Sequence, residues 1–186
     1  MVPTLRATLG VKGHRPTVGT WDNKDQIYCL AALNVVTGQL TTRLLEQPAR
    51  SKVRLGQSKQ QRLQVAFAAH LRDITSAYPA RQYPEVVITI DHAPWHRGTL
   101  MTHVLAAYPH LRVQRLPSYS PQLNVIERFW RVLRRRATHH RLFANMAALR
   151  GTLRNNICYF QTMRQKVLSL IESPRKKKKE AKLAAA

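Results

Sequence analysis

Acidic side chains are scarce in this chain: nine Asp and Glu stand against 31 Lys and Arg in 186 residues, for a formal net charge of +22. Such an excess of cations disfavours compact self-association and attracts polyanions, and nucleic acid rewards each cation near a phosphate by counterion release. Cysteine is nearly absent. Cys29 and Cys158 lie far apart without metal-ligand spacing, which argues against a disulfide scaffold and a structural zinc module. Long apolar runs are missing too; the best, residues 27–36, is interrupted by Asn34 and is well short of the roughly 18 residues of a membrane helix. Met1-Val2-Pro3-Thr4 lacks the charged and apolar regions of a secretory leader. These absences point to a cytoplasmic, nucleoid-associated protein with no membrane partner.

What is present suffices for a core. Hydrophobic residues make up 44% of a chain whose length suits one domain, and no internal repeat occurs. The charge is not confined to the lysine-rich end: residues 173–186 carry six basic side chains and one acid, a net +5 that leaves +17 on the rest. The expected division is a domain over 1–172 and a basic, disordered tail over 173–186.

The first third has the pattern of strands. Residues 15–21 form a short β-like run closed by the polar turn 22–25, residues 26–36 follow as a mostly apolar strand, and Thr37-Gly38 turns into a third strand over 39–45. From 58 to 78 the period changes: Leu63, Phe67, Leu71 and Ile74 mark an amphipathic helix. The run 85–91 has the composition of a strand buried on both faces and ends in Asp91. A helix over 98–108 and a strand over 111–116 predict a parallel pairing by crossover. Ser120 and Pro121 suit a helix start, which predicts a helix over 121–137; a last long helix is expected over 145–171, with Leu149, Leu153, Ile157, Phe160, Met163 and Val167 on one face.

Two acids carry the chemical interest. Asp91 emerges at the carboxyl end of a strand, where sites in α/β folds collect, although Asp91-His92-Ala93-Pro94 also suits a turn. Glu127 heads a polar helical stripe with Asn124, Arg131 and Arg134, apart from the apolar stripe of Leu123, Ile126, Trp130 and Leu133. Its plain role would be an ion pair with Arg131, worth about 0.3–0.5 kcal/mol. Its sharper role is to bind a hard divalent cation beside a phosphodiester, with the arginines aimed at flanking phosphates. His92 and His96 are four residues apart, but Pro94 between them opposes a regular helix and no third zinc ligand is placed. Trp95, Tyr119, Phe129 and Trp130 could stack on bases; Trp130 lies on the apolar stripe, so Tyr119, in a polar connector, is the better candidate.

Ile88-Thr89-Ile90-Asp91-His92-Ala93-Pro94-Trp95-His96, and the run from Leu116-Pro117-Ser118-Tyr119-Ser120-Pro121 through Gln122-Leu123-Asn124-Val125-Ile126-Glu127 to Arg128-Phe129-Trp130, resemble the last two catalytic blocks of DDE transposases. The nearest branch is the bacterial insertion-sequence transposases related to mariner elements. Thirty-five residues separate Asp91 from Glu127, the interval of that family, and Gly13-His14-Arg15-Pro16 extends the likeness. The resemblance implies an α/β, RNase H-like fold, a mixed β-sheet flanked by helices. It also implies a site of three carboxylates holding two Mg²⁺ or Mn²⁺ ions for DNA cleavage and strand transfer in cut-and-paste transposition. Asp91 and Glu127 would be catalytic metal ligands; Asn124, Arg128, Arg131, Arg134, Arg135 and Tyr119 would meet DNA.

The family's first Asp belongs to a strand expected before Pro3, and its helix-turn-helix region lies further upstream. Asp22 and Asp25 look like turn residues rather than substitutes. The expectation is therefore a chain weakly active or inactive alone, working on double-stranded transposon ends and target DNA as a homodimer or with an upstream transposase fragment. A non-catalytic DNA-binding remnant and an unrelated basic nucleic-acid-binding protein are the alternatives. A missing central strand would leave an open edge and poor solubility.

Overall fold

A computed structural model describes residue 12 and residues 25–47 and 58–172. The expected strand over 15–21, the Gly13-His14-Arg15-Pro16 motif, Asp22 and the basic segment 173–186 lie outside the described residues.

Strands β1 (Gln26–Leu33) and β2 (Leu40–Gln47) form an antiparallel hairpin in which Leu33 faces Leu40 and Gln26 faces Gln47. The first strand stops three residues before the expected 36, because the Asn34 side chain accepts the amides of Val36 and Thr37 and turns the chain there. Helix α1 (Lys59–Ala77) begins at Ser58 with a reciprocal capping box to Gln61 and buries Leu63, Phe67, Leu71 and Ile74, as its periodicity predicts. Strand β3 (Val86–Ile90), helix α2 (Thr99–Ala107) and strand β4 (Leu111–Arg115) make the expected parallel crossover unit, with Ile88 opposite Val113.

β3 corrects one expectation. Val87 and Thr89 are exposed while Ile90 is buried, so the strand alternates instead of being covered on both faces. Among the described residues no ladder joins β1 to β3; the strands form two separate pairs.

Two helices also differ from expectation. Residues 121–137 divide into a 3₁₀ turn (Pro121–Leu123) and α3 (Ile126–Ala137), because Asn124 is extended (ψ 96°) and Ser120 spends its hydroxyl on the Ser118 carbonyl instead of capping. Residues 145–171 divide at Met163 into α4 (Met146–Thr162), capped by Asn145, and α5 (Arg164–Ile171). Met163 is exposed at the break, leaving Leu153, Ile157, Phe160 and Val167 as the buried face.

The hairpin lies between two helical layers. Leu30, Ala32 and Leu45 join α1, α2, β3 and β4 in one core, whereas Ile27, Cys29, Leu33, Leu40 and Leu44 pack with Phe129, Leu133, Phe160 and Val167 in the other. Covering on both faces explains why β1 is so uniformly apolar. No helix of the described residues is long and apolar enough to cross a membrane.

Candidate functional site

Parallel pairing of β3 and β4 sends both chains out at one edge of that ladder, and the exits are tied together. His92 Nε2 lies 2.7 Å from the Leu116 carbonyl, and the Leu116 amide donates to the Ile90 carbonyl. Asp91 is the first residue beyond β3. Its Oδ1 accepts the Ala93 amide at 3.0 Å and lies 2.8 Å from His96 Nδ1. The turn is closed by the His96 amide on the Ala93 carbonyl, by Arg115 on the His96 carbonyl (2.8 Å), and by Gln64 of α1 on the Arg97 carbonyl (2.9 Å). The turn reading of Asp91-His92-Ala93-Pro94 holds, and the aspartate stays half-exposed at the strand end. Burial lowers the His96 pKa from its ordinary value, and the Asp91 carboxylate pulls it the other way.

From β4 the connector 116–125 leads to α3, where Glu127 sits in the first turn, at the positive end of the helix dipole. The ion pair with Arg131 is not made. Asp73 pairs with Arg43, Glu85 with Arg112, Glu46 with Arg150, and Asp91 with His96. Asp25 and Glu172 have partners as well. Glu127 alone among the described carboxylates has no side-chain hydrogen bond or ion pair. It lines a cavity of about 530 Å³ with Asp25, Tyr28, Trp130, Arg134 and Arg141. Asp91 is not in that lining, and no group of three His, Cys, Asp or Glu placed to hold a metal occurs among the described residues.

The remaining candidates separate into two sets. Arg131, Arg134 and Arg135 are exposed on α3, and Tyr119 is fully exposed with φ +56°, as a connector residue available to a partner would be. Asn124 lies before α3 instead of on its stripe, and its carbonyl accepts the Glu127 amide. Arg128 is also used within the fold: its guanidinium caps α5 by donating to the carbonyls of Ile171 and Glu172. Trp130 packs against the second core, as expected, while also bordering the cavity. His92 and His96 are both engaged in the Asp91 turn, away from any zinc geometry.

Sequence reasoning missed one neighbour of the site and one cluster elsewhere on the helices. His96 is Asp91's partner, and the signal was the tight Ala93-Pro94 turn that folds the segment back. Arg136, next to the expected arginines, lies over the Tyr159 ring at 4.4 Å, and Lys166 donates to the Tyr159 hydroxyl at 2.8 Å; this second cationic cluster is assembled from three helices and left no local pattern.

The sequence matches the family described as DDE superfamily endonuclease over residues 2–150. Two solved structures are similar in fold. "Crystal structure of the Mos1 mariner paired end complex with Mn" gives a TM-score of 0.58 at 15% identity, covering 91% of this chain and 49% of that chain. "Mos1 transposase paired-end complex with left transposon end" gives 0.53 at 15% identity, covering 91% and 51%. The chain therefore spans about half the length of these proteins, and the likeness establishes the RNase H-like α/β fold. No curated protein matches.

Proposed function

The chain belongs to the DDE superfamily endonuclease family, and from that premise we propose that it is the nuclease domain of a transposase, cleaving and joining double-stranded DNA with Mg²⁺ or Mn²⁺. One observation carries the proposal: with cations at every hand, Glu127 is left without a protein partner in a half-buried position. A carboxylate that no protein side chain engages is free to take a hard divalent cation.

The donor chemistry fits. Asp91 and Glu127 offer carboxylate oxygens and would hold the cation, which supplies activation of the attacking oxygen and stabilisation of the leaving one when bound. The protein's own side chains do the rest. Arg131, Arg134 and Arg135 neutralise phosphates beside the cut, Tyr119 stacks on a base, and Asn124 shapes the approach to Glu127. Two carboxylates hold such ions weakly, so cleavage needs a third acid beside Asp91 and Glu127. Bacterial insertion-sequence origin, transposon ends as substrate and a nucleoid location belong to the same proposal.

Nicking of transposon-end duplex is expected to require Mg²⁺ or Mn²⁺, to be faint with the chain alone, and to rise when the polypeptide encoded just upstream is added. Asp91→Ala and Glu127→Ala are each expected to reduce it at least 100-fold. If both variants nick like wild type, the site assignment is wrong. Steep salt-dependent DNA binding without nicking in any combination selects the non-catalytic remnant. Family membership removes the reading as an unrelated basic protein.

A further inference from the structure

The Asp91 carboxylate is held asymmetrically. Both of its protein contacts, Ala93 N–H at 3.0 Å and His96 Nδ1 at 2.8 Å, fall on Oδ1. The imidazole approaches within ion-pair distance, with its N–H turned off the hydrogen-bond line. It is also fixed from behind. Its ring packs on that of Phe67, a buried residue of α1, at 4.3 Å between centroids, and Arg115 holds its carbonyl.

We propose that His96 is a positioning residue: held 2.8 Å from Oδ1 in the tautomer protonated at Nδ1, it keeps that oxygen engaged electrostatically and leaves Oδ2 as the one oxygen offered to a divalent cation. The inference rests on Asp91 being a metal ligand and adds how that ligand is presented. A carboxylate free to rotate would alternate between one-oxygen and two-oxygen binding and would lose conformational freedom at each binding event. A histidine braced by an aromatic ring meets that cost during folding.

The test is Mn²⁺ binding to the whole chain, read by titration calorimetry and by the electron paramagnetic resonance of free Mn²⁺, with melting temperature as the folding check. His96→Phe keeps the ring against Phe67 and removes the donor; it is expected to weaken Mn²⁺ binding about 10- to 100-fold while melting near wild type. His96→Asn places an amide N–H near the Nδ1 position and is expected to bind within about threefold of wild type. Asp91→Asn is the reference for a missing ligand. If His96→Phe binds like wild type while Asp91→Asn no longer holds the ion, His96 only packs and the inference fails alone. If Asp91→Asn binds like wild type, the reading of Asp91 as a ligand fails and takes the inference with it; if the chain alone binds no Mn²⁺, as two carboxylates without a third acid allow, the imidazole ¹⁵N shifts decide the inference. Imidazole ¹⁵N shifts of the wild-type chain at pH 7.5 provide a check free of substitution: a proton on Nδ1 supports the grip, and a proton on Nε2 alone overturns it.

Discussion

His70 is 2% exposed within α1, and both of its ring nitrogens are buried without a hydrogen-bond partner. Burial pushes its pKa from the ordinary 6.5 down to about 4; Asp73, 3.9 Å away, pulls upward, while Arg43 and His96 add to the depression. Because the folded state refuses a proton that the unfolded chain accepts near 6.5, stability is full above about pH 6.5 and falls as the pH drops toward 4. The expected loss is on the order of 3 kcal/mol, measured by urea melts across that range, and His70→Leu should flatten it. The residue was legible in part: it falls on the stripe of Leu63, Phe67, Leu71 and Ile74, so its burial follows from the helical period. That Asp91 leans on His96, or that Arg128 caps a helix 43 residues away, was not, since both depend on packing between distant segments.

Elements were legible where local chemistry decides and obscure where it competes. Ser58 and Gln61 signal the start of α1 because a capping box is written in neighbouring residues. Pro121 suggested a helix start as well, but Asn124 imposed an extended backbone, and the true first turn came at Ile126. Gly38 shows how a turn can be set by its neighbours as much as by its own sequence. It has φ +71°, and a Cβ there would lie 2.5 Å from the Arg164 carbonyl oxygen at the start of α5. Gly38→Ala would therefore strain the backbone and push a helix off the hairpin. We expect a loss of about 2–3 kcal/mol in chemical denaturation, against about 1 kcal/mol from the left-handed conformation alone.

For the whole molecule, the α/β plan followed from the resemblance to DDE transposases, and the charge from composition, but the division of labour among arginines did not. Arg131, Arg134 and Arg135 are exposed, while Arg128 is spent on α5. Replacing the first three by Gln should weaken binding to any duplex and lower the slope of log K against log salt by about 2–3, near 0.9 for each phosphate no longer neutralised. Arg128→Ala should leave that slope alone and instead lower stability by about 1.5–3 kcal/mol, the worth of hydrogen bonds from a charged donor. A slope that falls equally in both variants would mean that Arg128 also reaches DNA.

Phe67 belongs to the larger hydrophobic cluster and, on its other side, bears against the imidazole that grips Asp91. Interior repacking and the setting of the Asp91 carboxylate are thereby coupled through one aromatic ring. Trimming that ring would therefore disturb the core and the carboxylate's surroundings at once, so a substitution chosen only for robustness can shift Asp91 without touching it.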